Sequence, residues 1–158
     1  MEQVPMLEIG SKIQDFTIPT DRGHFSLSNY QGRNVVLFFF PRADTSGCTK
    51  EAVAFTSLLA EFEAANTVVI GISKDTPEKQ AKFRAKYNLE CILGADNKTD
   101  ICEQFGVWVE KSMYGRSYMG IERSSFLIDP DGKITKIWRK VKVPGHAEDV
   151  LAQVQAGG

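Results

Sequence analysis

The chain has 158 residues, enough for one domain with a core of its own. An apolar fraction of 42% and a charged fraction of 25% exclude a fibrous or disordered chain. The net charge of -1 gives no overall field aimed at nucleic acid or acidic lipid.

The opening stretch, Met1 to Glu8, has no basic start and no apolar run, so it does not read as a secretory signal. Nothing downstream reaches the ~18 apolar residues of a membrane span. A cytoplasmic protein of one domain, residues 1–158, is expected, with no membrane and no nucleic-acid partner. Asp15 to Pro19 is predicted as a short edge strand, where proline is tolerated. His24 to Leu27 is a second extended piece. Asn34 to Phe40 is almost entirely apolar and fits a strand buried on both faces.

Thr49 to Ala65 carries Ala52, Phe55, Leu59 and Phe62 at helical spacing, which predicts one long helix. Thr67 to Ser73 is the next buried strand. Thr76 caps a helix with Pro77 at its first position, running to about Tyr87. Glu90 to Leu93 reads as a short strand and Asp100 to Phe105 as a short helix. Asn97-Lys98-Thr99 matches a glycosylation acceptor by chance. Ser124 to Ile128 and Lys133 to Trp138 flank Asp129-Pro130-Asp131-Gly132 and predict a hairpin. Arg139, Lys140 and Lys142 alternate with Ile137, Val141 and Val143 and read as the wet face of a strand. A last helix is predicted from His146 to Gln155, and Gly157-Gly158 as a frayed tail. Alternating strands and helices with a late hairpin imply an α/β fold: a mixed central sheet flanked by helices.

Three cysteines, Cys48, Cys91 and Cys102, are too few for a disulfide scaffold. Cys48 is the most informative. It lies between a buried strand and a helix, at or near a helix N-terminus, where unpaired N–H groups favour an anion such as a thiolate. Asp44, Thr45, Ser46, Gly47 and Thr49 make its neighbourhood polar or small. Thr45 either closes a turn or bonds an oxygen approaching the sulfur. Glu51 stands three residues on, so no Cys-x-x-Cys dithiol exists. No metal-ligand spacing is present, and His24 and His146 read as surface or capping residues.

The segment Pro41 to Cys48 resembles the peroxiredoxin signature proline-x-x-x-threonine-x-x-cysteine. Gly47-Cys48-Thr49-Lys50-Glu51-Ala52 and Lys111 to Asp129 are similar to the bacterioferritin comigratory protein, or peroxiredoxin Q, branch. The likeness runs from about Ile9 to Val150. It implies a thioredoxin-like fold with an N-terminal β extension, no cofactor, and reduction of hydrogen peroxide and organic hydroperoxides. By position it makes Cys48 the peroxidatic cysteine, Thr45 the residue that orients peroxide, Pro41 a shield and Arg123 the active-site arginine. Glu51 either supports that arginine or is a favourable first-turn carboxylate.

The sequence departs from the branch at the resolving thiol. Val53 stands at the common position, and Lys82 to Lys86 holds no cysteine. Cys91 and Cys102 are each either inert core residues or an unusual resolving partner. A one-cysteine cycle with an external thiol is expected, with an unusual two-cysteine cycle as the rival. The reductant would be thioredoxin, glutaredoxin with glutathione, or another thiol, and the chain a monomer. The competing function is a thioredoxin-fold redox sensor or interaction module oxidised at Cys48.

Overall fold

The structure, a computed structural model, describes residues 7–157. Most of the opening stretch and Gly158 lie outside the described residues. In chain order the elements are β1 (Thr17–Thr20), β2 (Gly23–Ser26), β3 (Asn34–Phe39), α1 (Ser46–Ser57), α2 (Leu59–Ala64), β4 (Thr67–Ser73), α3 (Pro77–Tyr87), β5 (Ile92–Ala95), α4 (Ile101–Gln104), β6 (Trp108–Met113), β7 (Arg116–Ile121), β8 (Ser124–Ile128), β9 (Ile134–Trp138) and α5 (His146–Gly157). Seven strands form one sheet in the order β2-β1-β5-β4-β3-β8-β9. β3, β4 and β5 run parallel, and β8 and β9 join antiparallel. The β1–β2 hairpin is the N-terminal extension.

β3 shows why the sheet is buried twice. Side chains alternate across a strand. Val35, Leu37 and Phe39 therefore enter one apolar layer and Val36 and Phe38 the other, where Phe40 joins them. The second layer is roofed by α1, α2, α3 and α5 through Phe55, Phe62, Phe83 and Val150. The first is closed by α4 and by Val107 and Ile121 at the base of β6–β7. Gly71 lies opposite Phe38, and a Cβ there would sit inside the Phe38 ring. That ring stacks on Phe55 with centroids 4.5 Å apart, which seats α1 on β3.

Several expectations need correction. β1 is not an edge strand, because β2 lies outside it. β5 meets β1 only at Thr20, opposite Gly94, so Pro19 has no ladder bond to give there. The long helix is two, α1 and α2, broken at Leu58, whose φ of -105° and ψ of 6° leave the helical region. The apolar stripe continues across the break, which is why periodicity hid it. Arg139 to Val143 is irregular rather than strand: β9 ends at Trp138 and Lys140 takes a φ of 50°. Gly157 closes α5 instead of fraying. The β6–β7 hairpin, which local sequence signals do not predict, is a separate two-stranded sheet. Its outward side chains, Met113, Tyr114, Tyr118 and Met119, are exposed and gave no alternation of apolar and polar residues.

Candidate active site

α1 begins where β3 runs out. Asp44 adopts a φ of 63°, a left-handed turn that aspartate tolerates better than most residues. Its carboxylate accepts from Tyr87 Oη at 2.6 Å and Lys86 Nζ at 3.0 Å, so α3 clasps the turn. Those two bonds hold the Asp44 carboxyl below its ordinary range. Asp75 adds a second tie, accepting from the Ala43 N–H at 2.7 Å. Thr45 is the extended N-cap residue of α1, and Cys48 is the third residue of the helix. Cys48 thus lies in the first turn of α1, where the helix dipole presents its positive end.

The strand register explains what meets that sulfur. β8 runs antiparallel to β3 with Ser124 opposite Phe39. Arg123, one residue earlier, therefore lies at the end of the sheet from which the Cys48 loop leaves. Its Nη2 donates to Cys48 Sγ at 3.3 Å, and its Nη1 to Glu51 Oε1 at 2.7 Å. Glu51 follows Cys48 by one turn of α1, so both sit on the same face. The Arg123 carbonyl accepts from the Val141 N–H at 2.9 Å, which anchors the irregular 139–143 segment over the site. Gly47 permits the approach: a Cβ there would stand 3.2 Å from Arg123 Nη2.

Burial sets the charges. Desolvation pulls the guanidinium pKa down, but Glu51 and Cys48 outweigh it and raise it, so Arg123 stays charged. Glu51 is 1% exposed, and its Oε2 is buried with no hydrogen-bond partner among the described residues. Desolvation accordingly pushes the Glu51 carboxyl up to about 7, against the pull of Arg123. The unfolded value is 4.5, so the folded state holds the proton over a wider range. Stability is expected to fall as pH rises through the window from 4.5 to about 7, by of order 3 kcal/mol. Glu51→Gln removes this slope. In urea titrations the variant should gain on wild type by about 2 to 3 kcal/mol between about pH 5 and pH 8. A constant difference would refute it.

Not every expected residue lies as the sequence suggested. Cys48 is 1% exposed and joins the apolar layer that α1 helps to roof, with the Arg123 guanidinium as its polar contact. Of the polar residues beside it in sequence, Asp44, Thr45 and Ser46 are exposed, whereas the Thr49 hydroxyl is buried. The Thr45 hydroxyl donates to the Arg42 carbonyl at 2.8 Å, leaving its lone pairs free. Pro41 is half-buried at the start of the loop. His24 is exposed as expected, but His146 is buried, which corrects its surface reading. Its Nε2 bonds Ser125 Oγ at 2.8 Å, and its ring meets Phe55 and Trp138 edge-on. Burial lowers its pKa to about 4, so it is a neutral prop between α1 and β8. Pro144-Gly145 signalled a helix start there but not its depth.

The other two thiols are sealed and remote. Cys91 Sγ accepts from the Thr56 hydroxyl at 3.8 Å. Thr56 is eight residues beyond Cys48 on α1, or about 12 Å along the axis, whereas a disulfide needs Cα atoms within ~7 Å. Desolvation raises the Cys91 thiol to about 11. Cys102 lies in the apolar layer on the other side of the sheet from Cys48. Desolvation, reinforced by Asp96, raises its pKa well above the ordinary thiol range.

The model of the AhpC/TSA family matches residues 9–137. Peroxiredoxin Bcp of Bacillus subtilis is 44% identical over 146 residues, covering 92% of this chain and 93% of that protein. Peroxiredoxin Bcp of Escherichia coli strain K12 is 41% identical, covering 92% and 94%. Among solved structures, a cysteine-to-serine variant of PrxQ from Xylella fastidiosa superposes with a TM-score of 0.92 at 36% identity, covering 97% and 98%. The bacterioferritin comigratory protein of Xanthomonas campestris, solved in work on alkyl peroxide reduction, gives 0.88 at 38% identity, covering 96% and 97%. With the thioredoxin-like sheet and the buried thiol–guanidinium pair, these likenesses identify the chain as a member of the AhpC/TSA family, in its Bcp or peroxiredoxin Q branch, and a thiol-dependent peroxidase.

Proposed function

We propose that Cys48 is the peroxidatic thiol and that Arg123 is its guanidinium donor. The supporting observation is the fork of Arg123, which touches Cys48 Sγ at 3.3 Å with one nitrogen and Glu51 at 2.7 Å with the other. The Cys48 thiolate attacks one peroxide oxygen, and the O–O bond breaks. The departing oxygen takes a proton and leaves as water or an alcohol. Sulfur is oxidised by two electrons to the sulfenic acid as the peroxide is reduced. Arg123 and the first-turn N–H groups stabilise the charge that develops on the departing oxygen. Thr45 orients the peroxide through its free lone pairs, Pro41 shields the pocket, and Glu51 positions Arg123. Hydrogen peroxide and organic hydroperoxides are the substrates.

Gly47 is where crowding is tightest. Gly47→Ala should displace the guanidinium by a few tenths of an ångström and slow the reaction with peroxide by about tenfold. Stopped-flow rates measured beside thermal melts check this; an unchanged rate with an unchanged melt would refute it.

The sulfenic acid is resolved from outside in a one-cysteine cycle, by a thiol reductant. The depth and separation of Cys91 and Cys102 support that reading. Intact-mass spectrometry after one equivalent of peroxide tests it. A gain of one oxygen is expected, and a loss of two hydrogens, the mark of an internal disulfide, would overturn it. Thiol, guanidinium and carboxylate all come from one chain, which supports action as a monomer and a single domain over 1–158. Three free thiols fit a reducing cytoplasm. Among the described residues no helix is long and apolar enough to cross a membrane.

A further inference from the structure

A recess of about 210 Å³ opens beside the active-site loop, between that loop and the first two turns of α3. Arg42 lines it from the loop, Lys79 and Lys82 line it from α3, and Phe83 forms its apolar floor. Lys79 and Lys82 are three residues apart and so share one helix face. Among the described residues none of these three cations forms an ion pair. The acids at the same recess are already engaged. Asp44 is bonded to Lys86 and Tyr87, and Asp75 to the Ala43 N–H and the Ser73 hydroxyl. Counting the Asp75 carboxylate, which only neutral donors bond, the recess keeps a net positive lining over an apolar floor, on the loop that leads into the helix bearing Cys48.

We propose that this recess docks the carboxylate-bearing arm of a small acidic thiol, which then resolves the Cys48 sulfenic acid. The proposal rests on the reading of Cys48 as a peroxidatic thiol resolved from outside. The recess has the liquid volume of about seven waters, the size of an amino-acid arm and far smaller than a folded partner. A carboxylate placed against two lysines and an arginine gains charge-assisted bonds and a higher local concentration of the attached thiol. The chemistry balances. The thiol sulfur attacks the sulfenic sulfur and an S–S bond forms. The S–O bond breaks, and the oxygen leaves as water with the thiol proton and one from solvent or from the sulfenic acid itself. The sulfenic sulfur is reduced while the attacking sulfur is oxidised. A second molecule of the same thiol then displaces Cys48 and leaves as the symmetric disulfide.

The test uses the full chain, oxidised with one equivalent of hydrogen peroxide and checked for sulfenic acid by dimedone labelling. Its decay is then timed against glutathione, which carries two carboxylates, and against uncharged 2-mercaptoethanol, with rates corrected for thiolate fraction. Glutathione should be at least about tenfold faster, and the advantage should shrink as salt rises. In the double variant Lys79→Gln with Lys82→Gln, the ratio of the two rates should fall about tenfold. An equal ratio in wild type and variant would overturn the proposal, as would a wild type that answers only to a protein reductant such as thioredoxin. A carboxylate could also arrive on the peroxide. If the double variant instead changes the preference between a fatty-acid hydroperoxide and tert-butyl hydroperoxide, with the thiol ratio untouched, the recess serves the oxidant and the proposal fails. No sulfenic acid in the first step would instead overturn the Cys48 reading, separately from the docking claim.

Discussion

Cys48→Ser is expected to abolish peroxide turnover with dithiothreitol as reductant, a fall of at least about a thousandfold. A serine hydroxyl at neutral pH is a far weaker nucleophile than a thiolate, and the Glu51 carboxyl one turn away is bonded to Arg123 rather than to residue 48. His146, the one histidine in the core near the site, is neutral and already bonded to Ser125. The substitution is nearly isosteric, so the fold should survive, although the new hydroxyl sits in an apolar layer next to Arg123. Circular dichroism and thermal melting control for that. Turnover within tenfold of wild type in a folded variant would end the assignment. Cys91→Ser and Cys102→Ser should each retain peroxide turnover, since neither sulfur reaches Cys48.

Arg123→Met carries the second large effect. The rate of sulfenic acid formation, followed by stopped flow, should fall by about a hundredfold to a thousandfold, the range seen when one preorganised donor is removed from a reacting centre. Arg123→Lys should recover only part of this. An ammonium is a point charge and cannot span Cys48 and Glu51 with the fixed fork that guanidinium uses. Stability should respond as well, because Glu51 loses the only partner its buried carboxylate has among the described residues. Breaking such a pair costs up to about 3 kcal/mol at pH 8 and less at pH 6, where Glu51 holds a proton. The pH-dependent loss separates a charge role from simple packing damage. A variant with the wild-type rate would remove Arg123 from the mechanism.

Much of this was legible from residues alone. β4 and α3 fall on their expected bounds, Thr67–Ser73 and Pro77–Tyr87, because a β-branched run and a Thr-Pro cap are local signals. The Thr76 hydroxyl does accept from the Lys79 N–H, a cap worth about 1 kcal/mol. Cys48 at a helix start was readable too, from the switch between a strand run and a helical stripe. What stayed hidden was what lies across the sheet. Whether Cys102 shares a layer with Cys48 depends on strand order, and no local pattern encodes it. The burial of His146 and the unpaired Glu51 oxygen are likewise products of packing between α1, α5 and β8. Arg123 could be named by resemblance, yet its reach to Cys48 follows from the Ser124–Phe39 register.

That register has a consequence for folding experiments. The sulfur and its guanidinium are 75 residues apart in sequence and meet only through the β3–β8 ladder. Contacts this distant are slow to assemble, because a long loop has to close before they are rewarded. Recovery of enzymatic competence after dilution from denaturant should therefore lag behind recovery of helical signal. The thiol–guanidinium contact acts as a built-in clock for the last step of chain assembly.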